Sequence, residues 1–427
     1  MRKSEESKPD LRLPTSDFET RLSHLTFDRY QGIHRMSDST LVIDDDDRYS
    51  RLRLIGWWDQ AKLAAARIIV VGAGALGNEV LKNLALLGAG RIYVVDFDEI
   101  EESNLTRSVL FRHRDCGRPK AEAAADALRD MNPDTRVVPM AANIITDVGL
   151  GLFRDADVVI GCLDNREARL WVNRQCWKVN TPWIDGGIQE INGVFKVFVP
   201  PDSACYECAM TENDYRLINL RYSCPLLRQD DLQSGKVPTA PTISSMIGGL
   251  QTQEALKLLH GLPVESGKAW VYNGAANQFY ATSFQRREDC LSHETYPDPI
   301  ELPLSAKSNS ARDLLTAVRE AVGEKSGGDG KASLLLDRDL VVTLDCANCG
   351  TSQDVMRPLP LVGMSQAVCQ ECNQPQRPQL CHEVTLEGGM ADRKLSELGI
   401  PPYDIVRVST SEGEQVYLLA GDREGVA

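Results

Sequence analysis

Cysteine and histidine recur twice in this chain at metal-ligand spacing. Cys205-Tyr-Glu-Cys208 and Cys290-Leu-Ser-His293 together offer three thiolates and one imidazole, a complete tetrahedral zinc set. Cys346-Ala-Asn-Cys349 and Cys369-Gln-Glu-Cys372 offer four thiolates within one short segment, the strongest local metal pattern in the sequence. Four protein ligands leave no open position, so the second set reads as a structural zinc ribbon; in the first, the alternative for His293 is an ordinary loop histidine. Cys381 and His382 come soon after, but adjacent residues rarely ligate together, and they are left out of the set.

A second constellation is built around phosphate. Gly72-Ala-Gly74-Ala-Leu-Gly77 succeeds an apolar run and opens a helical pattern. Small residues there let the backbone approach a phosphate, and a helix N-terminus favours negative charge. Asp96, nineteen residues beyond Gly77, suits an acid that binds ribose hydroxyls. Alone, this fingerprint fits a nicotinamide or flavin enzyme. The residues downstream do not. Asp98 closes Asp96-Phe-Asp98, then come Asn104, Arg107 and Lys120, and Asp164-Asn165 ends a later apolar run. Hydride transfer has no need of two cations and an Asn after the turn, whereas a triphosphate with a departing pyrophosphate does. Asp164 ends a strand on the side where such sheets bind ligands, and a carboxylate there suits magnesium.

Four cysteines outside the zinc sets are candidate nucleophiles. Cys162 lies on an apolar strand and Cys176 on a helix, where a free cysteine behaves as a small hydrophobe. Cys116 sits in a polar loop between Arg114 and Arg118. Cys224 sits in LRYSCPLLRQDDLQSGKVPTAP with Arg221 and Arg228 nearby, a cationic loop where a reactive thiolate is expected. The alternative for Cys224 is a structural or incidental thiol.

The elements that must position these groups are legible. RIIVVGAG, RIYVVDFDEI, ADVVIGCLDN, TPWIDGGI and VFKVFV read as strands. ALGNEVLKNLALLGAG and KAEAAADALRDMNPD read as helices, the second stopped at Asn132-Pro133. RYSRLRLIGWWDQAKLAAA reads as a helix feeding the first strand. Strand and helix alternate at short spacing, which predicts an α/β fold with a doubly wound, mostly parallel, Rossmann-like sheet. We expect an N-terminal extension over 1–45, a main domain over 46–293, a linker over 294–331 and a C-terminal zinc-ribbon module over 332–427. The extension is either a flexible acidic segment or a partner-binding arm, since Phe18, Leu22, Leu25, Phe27 and Tyr30 recur at near-helical spacing.

Composition sets the outer bounds. The chain has 427 residues, 42% apolar and 25% charged, which excludes a mainly disordered or fibrous protein and fits two or three domains. A net charge of −14 disfavours non-specific nucleic-acid or membrane binding. No apolar run approaches the roughly 18 residues of a membrane span. MRKSEESKPDLRLP lacks the apolar core of a secretory signal, so the twelve cysteines are expected in a reducing, cytoplasmic setting rather than as a disulfide scaffold.

GAGALG, DFDEIEESNLTR, GRPKAEAA and CLDNREAR, in that order and spacing, resemble the ubiquitin-activating, ThiF/MoeB-like adenylyltransferase family, and within it bacterial ubiquitin-like-protein activating enzymes. The likeness runs over about 46–293 and through PTISSMIGGLQTQEALKLLHG. It implies adenylation of the C-terminal carboxylate of a small ubiquitin-like protein with MgATP. By the same match, Asp96 holds the ribose, Asn104, Arg107 and Lys120 hold phosphates, and Asp164 serves magnesium. Gly72, Gly74, Gly77, Asp98 and Asn165 complete the nucleotide site. Arg51 matches an arginine that reaches into the other subunit's ATP site, which implies a homodimer; its alternative is a solvated surface arginine. The family's acceptor cysteine lies in the region of Cys224, although its usual place is several residues nearer PTAPT, where this sequence has no cysteine. Cys224 is the first candidate for the acceptor thiol and Cys116 the reserve. The family's fourth zinc ligand is a cysteine where this chain has His293.

Three functions are expected from these features. The first is activation of a ubiquitin-like modifier through a Cys224 thioester, with a conjugating enzyme as onward partner; antiphage defence is one setting for bacterial members. The second is a sulfur-carrier-protein adenylyltransferase of cofactor biosynthesis. The third is a non-catalytic zinc-ribbon interaction protein with a relic nucleotide fold, against which the retained Asp96, Arg107, Lys120 and Asp164 argue. The N-terminal arm and the second metal set favour the first.

Overall fold

The computed structural model describes residues 47–215, 238–326, 332–363 and 366–426. The chain divides into two units, Met1–Trp58 and Asp59–Ala427. In the first, the described residues form a turn and a short 3-10 helix, Leu52–Leu54, with exposed Arg51 immediately before it. The single helix expected across RYSRLRLIGWWDQAKLAAA is therefore broken. Its second half, Gln60–Ala65, starts afresh in the second unit, where the Asp59 carboxylate accepts from the amides of Ala61 and Lys62. An aspartate N-cap satisfies donors that a continuous helix would have used internally.

The second unit holds two sheets. The first is built from β1 (Arg67–Val71), β2 (Arg91–Val95), β3 (Arg136–Met140), β4 (Val158–Gly161), β5 (Trp183–Gln189), β6 (Asn192–Phe198), β7 (Lys268–Asn273) and β8 (Gln278–Ser283), side by side in the order β3-β2-β1-β4-β5-β6-β7-β8. The five strands β3-β2-β1-β4-β5 are parallel, and β6, β7 and β8 continue antiparallel. Ile68 to Val71 are at most 1% exposed, because a parallel strand covered on both faces has no wet side. Helices Ala75–Leu87, Lys120–Met131 and Arg166–Lys178 make the crossovers. Strand order reverses between β1 and β4, and the C-terminal ends of strands at such a switch point are where open α/β sheets bind ligands in a crevice. A further helix, Pro241–His260, enters with Pro241 in its first turn and leaves through left-handed Gly261.

The second sheet corrects two expected boundaries. Its strands are β9 (Ile300–Leu302), β10 (Ala332–Cys346), β11 (Ser352–Pro358), β12 (Gln376–Thr385), β13 (Ile405–Thr410) and β14 (Gly413–Leu419). They lie in the order β11-β10-β13-β14-β9, with β12 on the other side of β10. The segment 294–331, expected to be a linker, contributes β9 and the helix Ala311–Ser326. Ala311, Leu314, Leu315 and Val318 of that helix are fully buried in the core of this second sheet. A helical apolar period outweighs the local rise in charge and proline. Nor is 332–427 a ribbon alone. β10 runs fifteen residues from this core into the ribbon, so the ribbon extends the sheet.

The two faces of β13 and β14 join the halves. Val406, Val408, Tyr417 and Leu419 pack towards the helix Ala311–Ser326, while Ile405, Val416 and Leu418 enter the core of the first sheet. Period-two alternation sends successive side chains to opposite faces, so one hairpin serves two cores. Polar clasps hold the same seam. Arg338 Nε donates to the Ile145 carbonyl at 2.6 Å, and its guanidinium pairs with Asp404 at 3.2 Å. Lys178 pairs with Asp337 at 2.6 Å. No helix among the described residues is long and apolar enough to cross a membrane.

Candidate active site

The crevice is made by the ends of adjacent strands. The Gly72 amide donates to the Val95 carbonyl and the Cys162 amide to the Val71 carbonyl, each at 2.8 Å, so the ends of β2, β1 and β4 are locked in register. The Gly-rich turn cannot accept bulk. A Cβ on Gly77 would lie 1.9 Å from the Gly72 carbonyl oxygen. The turn therefore closes tightly onto the first residues of the helix Ala75–Leu87, and the first amides of a helix are the ones left free to bind an anion.

Asp96, at the tip of β2, accepts from the Ala73 amide at 2.7 Å and from the Asp98 amide at 2.8 Å. Burial pushes its carboxyl above the usual carboxylate range, against the pull of Lys120 and the two amides. Lys120 Nζ sits 2.7 Å from the Asp98 carboxylate, and its own amide donates to the Asp98 carbonyl. The side chain of Asn104 accepts from the Glu101 amide, and Arg107 donates to the Ser103 carbonyl at 2.9 Å, so both residues order one tight loop. Asp164 is exposed beyond β4; its neighbour Asn165 caps the helix Arg166–Lys178 by accepting from the Ala168 amide at 2.8 Å.

Structure adds a buried charge cluster beneath Asp164. Arg169 Nε reaches Asp185 at 2.8 Å, Lys196 reaches the other carboxylate oxygen at 2.9 Å, and Arg169 also donates to the carbonyls of Leu163 and Gly186. The guanidinium thus ties the residue before Asp164 to β5. Burial pushes the Asp185 carboxyl up, but Arg169 and then Lys196 hold it below the usual range. Asp185 therefore supports the fold above about pH 4, and that support fades as pH falls through its lowered pKa. Asp185→Asn leaves two half-buried cations without their anion, and we expect a loss of about 2–3 kcal/mol, read by thermal unfolding at pH 7. The sequence signal was present: an aspartate inside the apolar run TPWIDGG and an arginine five residues past Asp164.

Both zinc sets assemble. In each, the ligand atoms lie within 4.8 Å of one another. Thiolates about 2.3 Å from a tetrahedral zinc stand about 3.8 Å apart. Cys205 lies 3.7 Å from Cys208 and 3.5 Å from Cys290, and Cys208 lies 3.4 Å from His293 Nε2. In the ribbon, Cys346 lies 3.4 Å from Cys372, and Cys349 lies 3.5 Å from Cys369. The donor chemistry and spacing of both sets fit zinc. The two ribbon turns are alike: Gly350 donates back to Cys346 and Asn373 to Cys369, with φ of 75° and 56°. Gly and Asn are the residues that tolerate this left-handed step.

Cys176 is fully buried and burial pushes its thiol well up; the Cys162 thiol is also pushed well up by burial. Both fit the expected role of small hydrophobes. Cys116 is exposed, and its neighbour Arg118 is engaged by Asp115 and Asp126. Cys224, with Arg221 and Arg228, lies outside the described residues, as does the arm over 1–45.

A model of the ThiF family matches residues 47–292. The chain is 30% identical over 247 residues to the sulfur carrier protein ThiS adenylyltransferase of Escherichia coli K12, covering 57% of this chain and 93% of that one. It is 32% identical over 255 residues to the SAMP-activating enzyme E1 of Haloferax volcanii, covering 57% and 87%. It is 31% identical over 252 residues to the molybdopterin-synthase adenylyltransferase of Salmonella typhimurium LT2, covering 57% and 94%.

Proposed function

This chain belongs to the ThiF family and is an enzyme of the adenylyltransferase class, and from that premise we propose that it activates the C-terminal carboxylate of a small ubiquitin-like protein with MgATP. The observation that carries the reading is the crevice itself: Asp96 braced on the Gly-rich turn, Lys120 beside Asp98, and an exposed Asp164 across the switch point. In this reading Asp96 takes the ribose, the turn Gly72–Gly77 and Asn104 take phosphate oxygens, and Arg107 and Lys120 neutralise charge. Asp98 holds Lys120 until nucleotide arrives, and Asn165 fixes the start of the helix behind Asp164. Magnesium, held through Asp164, would supply charge neutralisation at the phosphates. The ionised carboxylate attacks the α-phosphorus, the bond to the pyrophosphate oxygen breaks, and no general base is needed. Placement and charge stabilisation account for the rate.

The onward step is transfer to Cys224: its thiolate attacks the acyl carbon, a thioester forms and AMP departs. A conjugating enzyme would then take the modifier. Arg51 would complete the ATP site of a second copy in a homodimer. The second reading is a sulfur carrier activator, favoured by the relatives named for ThiS and molybdopterin synthase, which align over nearly their whole length. ATP–pyrophosphate exchange with a purified small ubiquitin-fold protein that ends in a free carboxylate separates the two. Wild type is expected to catalyse exchange and to give a reducible adduct that Cys224→Ala loses while exchange persists. Exchange with no adduct moves the assignment to the sulfur-carrier reading, and no exchange under magnesium removes both.

A further inference from the structure

The Gly-rich turn and the loop carrying Arg107 are separate in sequence, and one buried side chain joins them. Asn78, in the first turn of the helix Ala75–Leu87, is fully buried. Its Nδ2 donates to the Ala73 carbonyl at 2.7 Å and to the Gly74 carbonyl at 3.0 Å. Its Oδ1 accepts from the Leu110 amide, thirty-two residues away, at 2.8 Å. One planar amide thus uses both donors on the turn and its acceptor on the end of the Asn104–Leu110 loop. An aspartate lacks the two donors, and alanine lacks the acceptor as well.

We propose that Asn78 is a positioning residue for phosphate binding: it sets the distance and angle between the Gly-rich turn and the Arg107 guanidinium. The proposal rests on the nucleotide reading above. Arg107 and Asn104 spend their side-chain bonds within the loop itself, on Ser103 and Glu101. Ser108 and Leu110, each 5% exposed, carry the loop back into the core just after Arg107, and the Leu110 amide is the hold that Asn78 takes on it. A neutral polar group with all three bonds made is a stiff hinge pin, because loss of any partner strands a buried polar atom.

The test is a double-mutant cycle on the full chain, with MgATP binding read by calorimetry and melting measured for every variant. Arg107→Ala is expected to weaken MgATP ten- to a hundredfold, as removal of a charged hydrogen-bonding partner does. Asn78→Ala is expected to weaken it about tenfold in the wild-type background and less than twofold in the Arg107→Ala background, because its effect runs through Arg107. Asn78→Ser, small and uncharged, keeps a hydroxyl for the turn but is too short to hold the Leu110 amide; it is expected to show the same non-additivity and serves if the alanine variant does not fold. Equal losses in both backgrounds would show a general packing role and overturn the proposal. Wild type that does not bind MgATP would sink the nucleotide reading and the proposal with it, a result distinct from additivity.

Discussion

Asp164→Ala is expected to lower ATP–pyrophosphate exchange by about 10²–10³-fold, the scale seen when one group stabilising transition-state charge is removed. The melting temperature should not move beyond the shift that about 0.5 kcal/mol produces, as for a surface substitution. The asymmetry comes from the position. Asp164 is exposed and accepts a long, 3.3 Å hydrogen bond from the Asn165 side chain, so the fold spends little on it. The helix behind it starts on the Asn165 cap, which the substitution leaves intact. Asp96 would not give so clean a result, since its carboxylate also braces the Ala73 and Asp98 amides. Exchange rates and thermal melts on the same preparations decide the matter. A loss below tenfold would remove Asp164 from the chemistry, and a large drop in melting temperature would make its role structural.

The nucleotide crevice was legible because its signals are local. A glycine forced by a 1.9 Å approach, an acid at the end of the next strand and a cap residue after β4 are each read from the few residues that flank them. The first ligand set was legible across 85 residues because C-x-x-C answered by C-x-x-H has metal-ligand spacing, and the structure brings the four groups together. Partnerships set by strand register were not legible. Asp185 and Lys196 meet as register partners on β5 and β6, and Arg169 reaches Asp185 from the helix after β4; each charge stands out in the sequence, but no local pattern pairs them. Asn78 looks like an ordinary helical asparagine until Leu110 is brought to it. The helix Ala311–Ser326 was missed for a different reason: charge and proline around it outweighed a period that was there to be counted.

Cys205→Ser and Cys349→Ser both delete one thiolate from a four-ligand set, yet their costs should differ sharply. Cys205 is fully buried, and Cys290 is 7% exposed, within the same core as Trp177, Trp183 and Phe198. The His293 ring stacks on Trp177 at 5.7 Å. Between the two ligand pairs lies Glu207, fully buried, which accepts from Ser292, from Arg174 at 2.7 Å and from the Tyr215 hydroxyl at 2.7 Å. Losing the metal there leaves thiols, an imidazole and a carboxylate network unsupported inside the core. The cost should reach at least about 4 kcal/mol, in the range reserved for loss of a metal or a buried network. That corresponds to a fall of at least about 5 °C in Tm for a unit of this size. Cys349 is exposed at the far end of the ribbon, where β10, β11 and β12 keep their ladder without it. Its loss should release the second zinc, leave the main transition within about 3 °C and leave exchange unchanged, since stability is local to the element that frays. Metal content per chain, calorimetric melting and exchange on both variants test this together. Equal destabilisation by the two substitutions would mean the ribbon metal also supports the common core. An unchanged melt for Cys205→Ser would mean that hydrophobic packing alone holds the first site.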